Sequence, residues 1–131
     1  MPFVRSRLLA LPLGAALAVA GCGSGMSPYG GGGSGCPTGS TVVTVGGGGL
    51  PDFSPASVDV KVGETVCWVW ATAGYDVTSG SGCAADGSFG TGHTLAAGQI
   101  FTVPFYTVGT YPYFSSNQCS AGMTGTVIVG P

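Results

Sequence analysis

The chain has 131 residues, of which 44% are hydrophobic and only 6% are charged. Its Lys and Arg residues number 3 against 5 Asp and Glu, which leaves a formal net charge of −2 at pH 7. A chain with so few cations cannot neutralise a phosphate backbone, so nucleic acid partners are excluded, and it lacks the basic patch that attracts anionic lipid headgroups.

The N-terminus predicts export. Two arginines precede an apolar run, Leu8 to Ala20, that is too short to span a bilayer, which is typical of a secretory signal over residues 1–21. The run ends in Val-Ala-Gly-Cys, which resembles the lipobox of bacterial lipoproteins and makes Cys22 the expected lipidation site. The alternative is an ordinary signal peptide in which Cys22 is incidental. With the lipid, the protein is an exported bacterial lipoprotein, anchored through Cys22 on the periplasmic or extracellular side of a membrane.

Residues 22–40 are rich in Gly and Ser, which predicts a flexible tether, and residues 41–131 are predicted to form one domain. The chain has 5 cysteines. If Cys22 carries lipid, the other four can form two disulfides in an oxidising compartment, in any of three connectivities.

From Thr41 onward, short apolar or alternating segments stand between Gly, Pro and Asp turns, without helical periodicity. The alternation in Val58-Asp-Val-Lys-Val62 is typical of a strand with one buried face. The predicted strands are Thr41–Val45, Val58–Val62, Val66–Trp70, Tyr75–Ser79, Ile100–Phe105, Gly109–Phe114 and Gly125–Val129. This spacing predicts an all-β fold, a Greek-key β-sandwich or barrel of about seven to eight strands.

The closing stretch, residues 109–127, reads Gly-Thr-Tyr-Pro-Tyr-Phe-Ser-Ser-Asn-Gln-Cys-Ser-Ala-Gly-Met-Thr-Gly-Thr-Val. It resembles the copper-ligand loop of the cupredoxin family, G-T-Y-x-[YF]-x-C-x-x-H-x-x-x-G-M-x-G-x-V. Phe-Ser-Pro, Val-Gly-Glu-Thr-Val-Cys-Trp and Asp-Val-Thr-Ser extend the likeness to bacterial plastocyanin-like domains over about Thr41 to Pro131. The resemblance implies the cupredoxin fold. It places the family's ligand positions at Tyr75, Ser115, Gln118 and Met123.

A second resemblance, to the plant phytocyanin branch of the family, concerns the disulfides. In that branch a Cys directly after the second ligand His bridges to a Cys in the loop that follows the first. Here Cys119 follows Gln118, and Cys83 lies in the corresponding loop. The resemblance therefore implies a Cys83–Cys119 bridge, and with it one between Cys36 and Cys67.

The ligand positions do not carry blue copper donors. A blue copper site needs two imidazoles and a thiolate around the metal, with a weak axial thioether. Only Met123 keeps its family identity, while Ser115, Gln118 and Tyr75 offer neutral oxygen atoms. We therefore expect a degenerate site without a cofactor, in which the Tyr75 hydroxyl bonds Ser115 or Gln118 in a small polar cluster. The alternative is copper held in an atypical, non-blue geometry.

No catalytic residue is predicted. His93, the only histidine, lies in a Gly-flanked loop and is expected to be exposed and away from the ligand end. No Ser/His/Asp set, carboxylate pair or zinc spacing is evident in the sequence, so the chain is not expected to be an enzyme.

Two functions remain open. The first is a non-redox binding or structural module, whose ligand end would contact a protein partner in the cell envelope through Tyr75, Phe114, Gln118 and Met123. The second is a copper-binding electron-transfer protein with an atypical site.

Overall fold

The computed structural model describes residues 35–131. The predicted signal peptide, the lipidation at Cys22 and the tether up to residue 34 lie outside the described residues. Within residues 35–131, no helix is long and apolar enough to cross a membrane.

The described residues form a β-sandwich with short strands. The strands are β1 (Thr41–Val45), β2 (Phe53–Ser54), β3 (Ser57–Lys61), β4 (Thr65–Trp70), β5 (Thr78–Ser81), β6 (Ala84–Gly90), β7 (Ile100–Pro104), β8 (Gly109–Phe114) and β9 (Thr124–Gly130). Two short 3₁₀ segments, Gly47–Gly49 and Cys119–Ala121, lie in the loops. The all-β prediction is confirmed.

The strands form two mixed sheets. One sheet has 4 strands in the order β2-β1-β4-β7, and the other has 5 in the order β3-β9-β8-β5-β6. β1 runs parallel to β4, and β3 runs parallel to β9, whereas the other paired strands are antiparallel. Because β1 and β4 are parallel, their C-terminal ends lie at the same end of the sandwich, and the loops that follow them meet there.

Alternating apolar residues fill the space between the sheets. In β3 the buried positions are Val58 and Val60, and in β4 the same face carries Val66, Trp68 and Trp70. Tyr113 of β8 meets Trp68 edge-on, with ring centroids 5.2 Å apart. Its ring lies directly over Gly125, where any β-carbon would come within 2.4 Å of the phenolic oxygen.

Three parts of the sheets differ from the sequence prediction. β2, which pairs with β1, lies outside the predicted strands. β6 also lies outside the predicted strands, and it pairs only with β5 at the sheet edge. Tyr75 was placed at the start of a strand, but β5 begins at Thr78 and Tyr75 forms only an isolated bridge with Leu95.

The two disulfides are the pairs that the phytocyanin resemblance implies, Cys36–Cys67 and Cys83–Cys119. The first joins the start of the described chain to the middle of β4, where Cys67 is fully buried. Residues 36–40, which the sequence analysis assigned to the tether, are thus held against this sheet. The second disulfide joins the β5–β6 turn to the loop between β8 and β9.

Candidate functional site

The candidate site lies where two loops meet beyond the ends of their strands. The first loop, residues 71–77, follows β4, and the second, residues 115–123, connects β8 to β9. These loops carry the four positions that the cupredoxin resemblance singled out, and we refer to this end of the sandwich as the ligand end.

The Asp76 carboxylate joins the two loops. Oδ1 accepts hydrogen bonds from the Ser116 backbone N–H at 2.7 Å and lies 3.0 Å from the Ser115 hydroxyl. Oδ2 accepts from the Ser116 hydroxyl at 2.9 Å and from the Thr78 hydroxyl at 2.8 Å. Asp76 is only 5% exposed, so these neutral donors replace the water that the carboxylate loses on folding.

Ser115, which the cupredoxin resemblance places at the family's ligand Cys position, is fully buried. Its hydroxyl lies 3.0 Å from Asp76 Oδ1 and 2.8 Å from Asn117 Oδ1, and its one proton can be donated to either oxygen. The Asp76 backbone N–H donates back to this hydroxyl at 3.3 Å. Asn117 also donates from Nδ2 to the Gly74 carbonyl at 2.7 Å, which adds a second link between the loops.

Gln118 and Met123 are positioned by the backbone of the second loop. The Gln118 N–H donates to the Ser115 carbonyl, the Met123 N–H to the Gln118 carbonyl, and the Ser115 N–H to the Met123 carbonyl, each at 3.1 Å. Gly122, with φ 94°, ends the 3₁₀ segment in a left-handed conformation that favours glycine. The loop therefore closes on itself around a buried Met123, while Gln118 is half-buried.

Tyr75 lies at the edge of the ligand end. Its ring packs against Gly46 in the loop after β1, where a β-carbon would come within 2.8 Å of Cε2. Its carbonyl accepts a 2.8 Å hydrogen bond from the Trp70 indole N–H. Among the described residues, no hydrogen bond joins the Tyr75 hydroxyl to Ser115 or Gln118. The polar cluster at the ligand end therefore does not include this hydroxyl, contrary to the prediction. Asp76 of the first loop takes its place, because its oxygens bond the second loop and Thr78 at the start of β5.

Comparisons with known proteins identify the family. A sequence model of copper-binding proteins of the plastocyanin/azurin family matches residues 40–130. The chain belongs to this family. A plastocyanin from Scenedesmus fuscus is 37% identical over 86 residues, which cover 59% of this chain and 85% of that protein. A chloroplastic plastocyanin from Tetradesmus obliquus is 34% identical over 84 residues, covering 59% of this chain and 57% of that protein.

Solved structures agree with the plastocyanin/azurin assignment. Amicyanin from Paracoccus versutus superimposes with a TM-score of 0.60 and 26% identity, over 74% of this chain and 87% of that one. A purple cupredoxin from Nitrosopumilus maritimus superimposes with a TM-score of 0.59 and 22% identity, over 69% of this chain and 99% of that one. At the lower of these identities the likeness supports the fold alone.

The residues at the ligand end do not fit the copper of a blue site. The position of the thiolate holds Ser115, whose hydroxyl is engaged within the protein, and the positions of the imidazoles hold Tyr75 and Gln118. A thiolate at position 115 would also face the Asp76 carboxylate, and two like charges at such a distance oppose each other's ionisation. Within residues 35–131, no group of three or more His, Cys, Asp or Glu side chains is arranged to hold a metal ion.

Two expectations about the surroundings of the site were wrong. His93 is exposed, as predicted, but its loop borders the ligand end, because the Thr91 N–H donates to the Val77 carbonyl and the Leu95 N–H to the Tyr75 carbonyl. The predicted contact surface also included Phe114 and Met123. They are 4% and 0% exposed and cannot contribute side-chain area to a partner.

Sequence reasoning missed the residues that hold the site together: Asp76, Thr78, Ser116 and Asn117. One signal was available. Asp76 is an acidic residue next to a ligand position, between Tyr75 and Val77, and Ser-Ser-Asn at 115–117 supplies hydroxyl and amide groups. A buried carboxylate needs such groups, so the two short motifs could have been read together.

Proposed function

We propose that this member of the plastocyanin/azurin family is a lipid-anchored protein of the bacterial cell envelope that has a degenerate copper site and works as a non-redox binding or structural module. One observation supports the proposal most directly. The Ser115 hydroxyl, at the position that the resemblance assigns to the thiolate, is buried within hydrogen-bond distance of the Asp76 carboxylate and the Asn117 amide oxygen. Export and the anchor at Cys22 are supported by the N-terminal sequence.

A partner surface at the ligand end is part of this proposal. Tyr75 and Gln118 are half-buried, so part of each side chain is accessible, and Asn117 is exposed. Leu50, which is 60% exposed, follows the Gly-rich loop whose Gly46 contacts the Tyr75 ring. An aromatic, a leucine and two amides at one end match the mixture of apolar and neutral polar groups found at protein interfaces.

The second candidate is a copper-binding electron-transfer protein with an atypical site. The match to a copper-binding family and the retained Met123 favour it. In this case copper would be held by oxygen donors instead of a thiolate and imidazoles. Oxygen donors favour harder metals.

Copper titration of the full mature chain separates the two candidates. We expect no intense visible absorption band with Cu(II) and no tightly bound equivalent of copper with Cu(I). A Met123→Leu variant should give the same titration curves as the wild type. An intense band, or one tightly bound equivalent lost in Met123→Leu, would contradict the non-redox proposal and support the second candidate.

A gain-of-function variant tests the assignment of the ligand positions. The triple change Tyr75→His, Ser115→Cys, Gln118→His restores the family's donor set around Met123. Adding Asp76→Asn removes the carboxylate that would face the new thiolate. We expect the quadruple variant to bind copper with a blue band and the triple variant to bind more weakly. A quadruple variant that folds but stays colourless would show that these four positions do not converge.

A further inference from the structure

A groove lies at the other end of β4, away from the ligand end. It has a volume of about 560 Å³ and lies between the segment at residues 37–40, the turn that joins β3 to β4, and the chain that leaves β7. This volume is within the range of small-molecule sites, roughly 300–1,000 Å³.

Covalent and hydrogen-bonded links fix the walls of this groove. The Cys36–Cys67 bridge holds the first wall on the sheet, and Ser40 donates from its N–H and its hydroxyl to the Pro37 carbonyl at 3.1 and 2.7 Å. The opposite walls are tied together by bonds from the Gly63 N–H to the Phe105 carbonyl and from the Phe105 N–H to the Glu64 carbonyl, at 2.6 and 2.9 Å. The groove is therefore preformed, which lowers the entropic cost of binding a ligand.

The groove is lined by one aromatic residue, four residues with aliphatic hydroxyl groups, one carboxylate, and prolines and glycines. Tyr106 is 71% exposed, the largest exposed fraction among the large hydrophobic side chains of the described residues. The hydroxyl groups belong to Thr38, Ser40, Thr65 and Thr102. Glu64 is the charged lining residue, and its Oε1 accepts a 2.7 Å bond from the Lys61 N–H.

We propose that this groove binds a neutral oligosaccharide. An exposed tyrosine ring offers a negative π face on which the C–H face of a sugar ring can stack. Threonine hydroxyls donate and accept, as sugar hydroxyls do, so the two sets can pair in either direction, while the Ser40 hydroxyl, whose proton goes to the Pro37 carbonyl, can accept.

Two other ligand classes fit the groove less well. An anionic ligand would meet the Glu64 carboxylate without a lining cation to offset it. A proline-rich peptide docks in grooves lined by several aromatic residues, and Tyr106 is the single aromatic residue lining this one.

Calorimetric titration of the full mature chain with three uncharged hexasaccharides tests the proposal: β-1,4-linked glucose, β-1,4-linked N-acetylglucosamine and α-1,4-linked glucose. We expect at least one of them to bind. Tyr106→Ala should weaken that binding by about tenfold or more, because it removes the stacking surface. Tyr106→Phe keeps the ring and should bind within about twofold of the wild type. Val108→Ala, an exposed position outside the lining, is the matched control and should change nothing.

Three outcomes overturn the proposal. The first is that none of the hexasaccharides binds at millimolar concentration. The second is that Tyr106→Ala binds as well as Val108→Ala. The third is that a polygalacturonate oligomer or a decaproline peptide binds in preference to the neutral sugars. Copper titration is independent of this groove, so failure here leaves the proposed function of the ligand end unaffected.

Discussion

The core and the ligand end differ in whether their buried polar groups have hydrogen-bond partners. Between the sheets, the Trp68 indole N–H and the Tyr113 hydroxyl are buried without a hydrogen-bond partner among the described residues. At the ligand end, the oxygens of Asp76, in the first loop, accept hydrogen bonds from the second loop and from Thr78 at the start of β5. Neutral donors can be left unpaired at about 1–3 kcal/mol each when aromatic packing compensates. Asp76 is 5% exposed and needs its partners, whereas Asp52, which also has one buried oxygen without a partner, is only half-buried as a residue.

The comparison shows what stabilises each region. The core depends on the volume and contacts of its aromatic side chains, and the polar atoms on two of them are tolerated. The ligand end depends on directed bonds to one carboxylate, which join the loops that a metal joins in blue copper proteins. The predictions below test this difference, from the largest expected effect to the smallest.

Trp68→Ala should cost about 3–5 kcal/mol of unfolding free energy, because it leaves a large cavity between the sheets. Chemical denaturation followed by tyrosine and tryptophan fluorescence measures the loss. Val42→Ala, on the exposed face of β1, is the control and should cost less than about 0.5 kcal/mol. Equal losses in the two variants would mean that Trp68 does not organise the core.

Asp76→Ala should cost about 2–4 kcal/mol, because Ser116, Thr78 and Ser115 lose their shared acceptor. Amide hydrogen exchange should increase at residues 115–118 more than in β3 or β9. The control is Asp59→Ala, an exposed acidic residue of β3, which should stay within about 0.5 kcal/mol of the wild type. An Asp76→Ala variant as stable as the control would show that the loops are held by other contacts.

Alkaline pH should destabilise the fold through Tyr113. Burial raises the pKa of this phenol from its ordinary value of 10.0 to about 12, and a weaker interaction with the Trp68 indole N–H, which lies outside hydrogen-bond geometry, opposes the shift. As the pH rises, the unfolded chain loses the Tyr113 proton before the folded chain does. The contribution of this phenol to the free energy of unfolding is therefore complete below pH 10 and is lost as the pH rises toward 12. The free energy of unfolding should fall by an amount on the order of 2–3 kcal/mol. Denaturation midpoints between pH 8 and 12 measure it, and Tyr113→Phe should flatten the profile; an unchanged profile would contradict the assignment.

Tyr113→Phe and Tyr111→Phe should change stability in opposite directions. Tyr113→Phe removes an unpartnered buried hydroxyl and should stabilise the fold by up to about 1 kcal/mol. Tyr111→Phe removes a hydroxyl that donates to the Thr107 carbonyl at 2.7 Å and should cost about 0.5–1 kcal/mol. Thermal and urea unfolding of the pair at pH 7 provide the comparison. Destabilisation by both changes would indicate a partner for the Tyr113 hydroxyl.

Much of the fold could be predicted because the apolar strands carry strong local signals. The alternation in β3 and the β-branched and aromatic residues of β4 and β8 specify strands with one buried face. β6 could not be predicted, because its pairing with β5 is made by backbone groups and its side chains are mostly exposed. The isolated bridge between Tyr75 and Leu95 is likewise a tertiary contact without a local pattern.

At the candidate site, the expected hydrogen bond from the Tyr75 hydroxyl to Ser115 or Gln118 was wrong, while the assignment of the ligand positions stays a prediction. The family motif located Tyr75, Ser115, Gln118 and Met123 on the two loops, and the structure places these loops together. The motif does not specify which side chain fills a vacated ligand position. Nor does it show which side chain joins the loops, and here Asp76, next to Tyr75 in the first loop, bonds Ser116 of the second loop and Thr78 of β5.

The Cys36–Cys67 bridge also determines how the domain would respond to mechanical load. A pull on the chain from its N-terminal side reaches the sheet at Cys67, in the middle of β4, and bypasses the segment between the two cysteines, which are 31 positions apart in the sequence. β1 lies inside this covalent loop and is shielded from tension, so shear is transmitted to a strand that is paired on both sides.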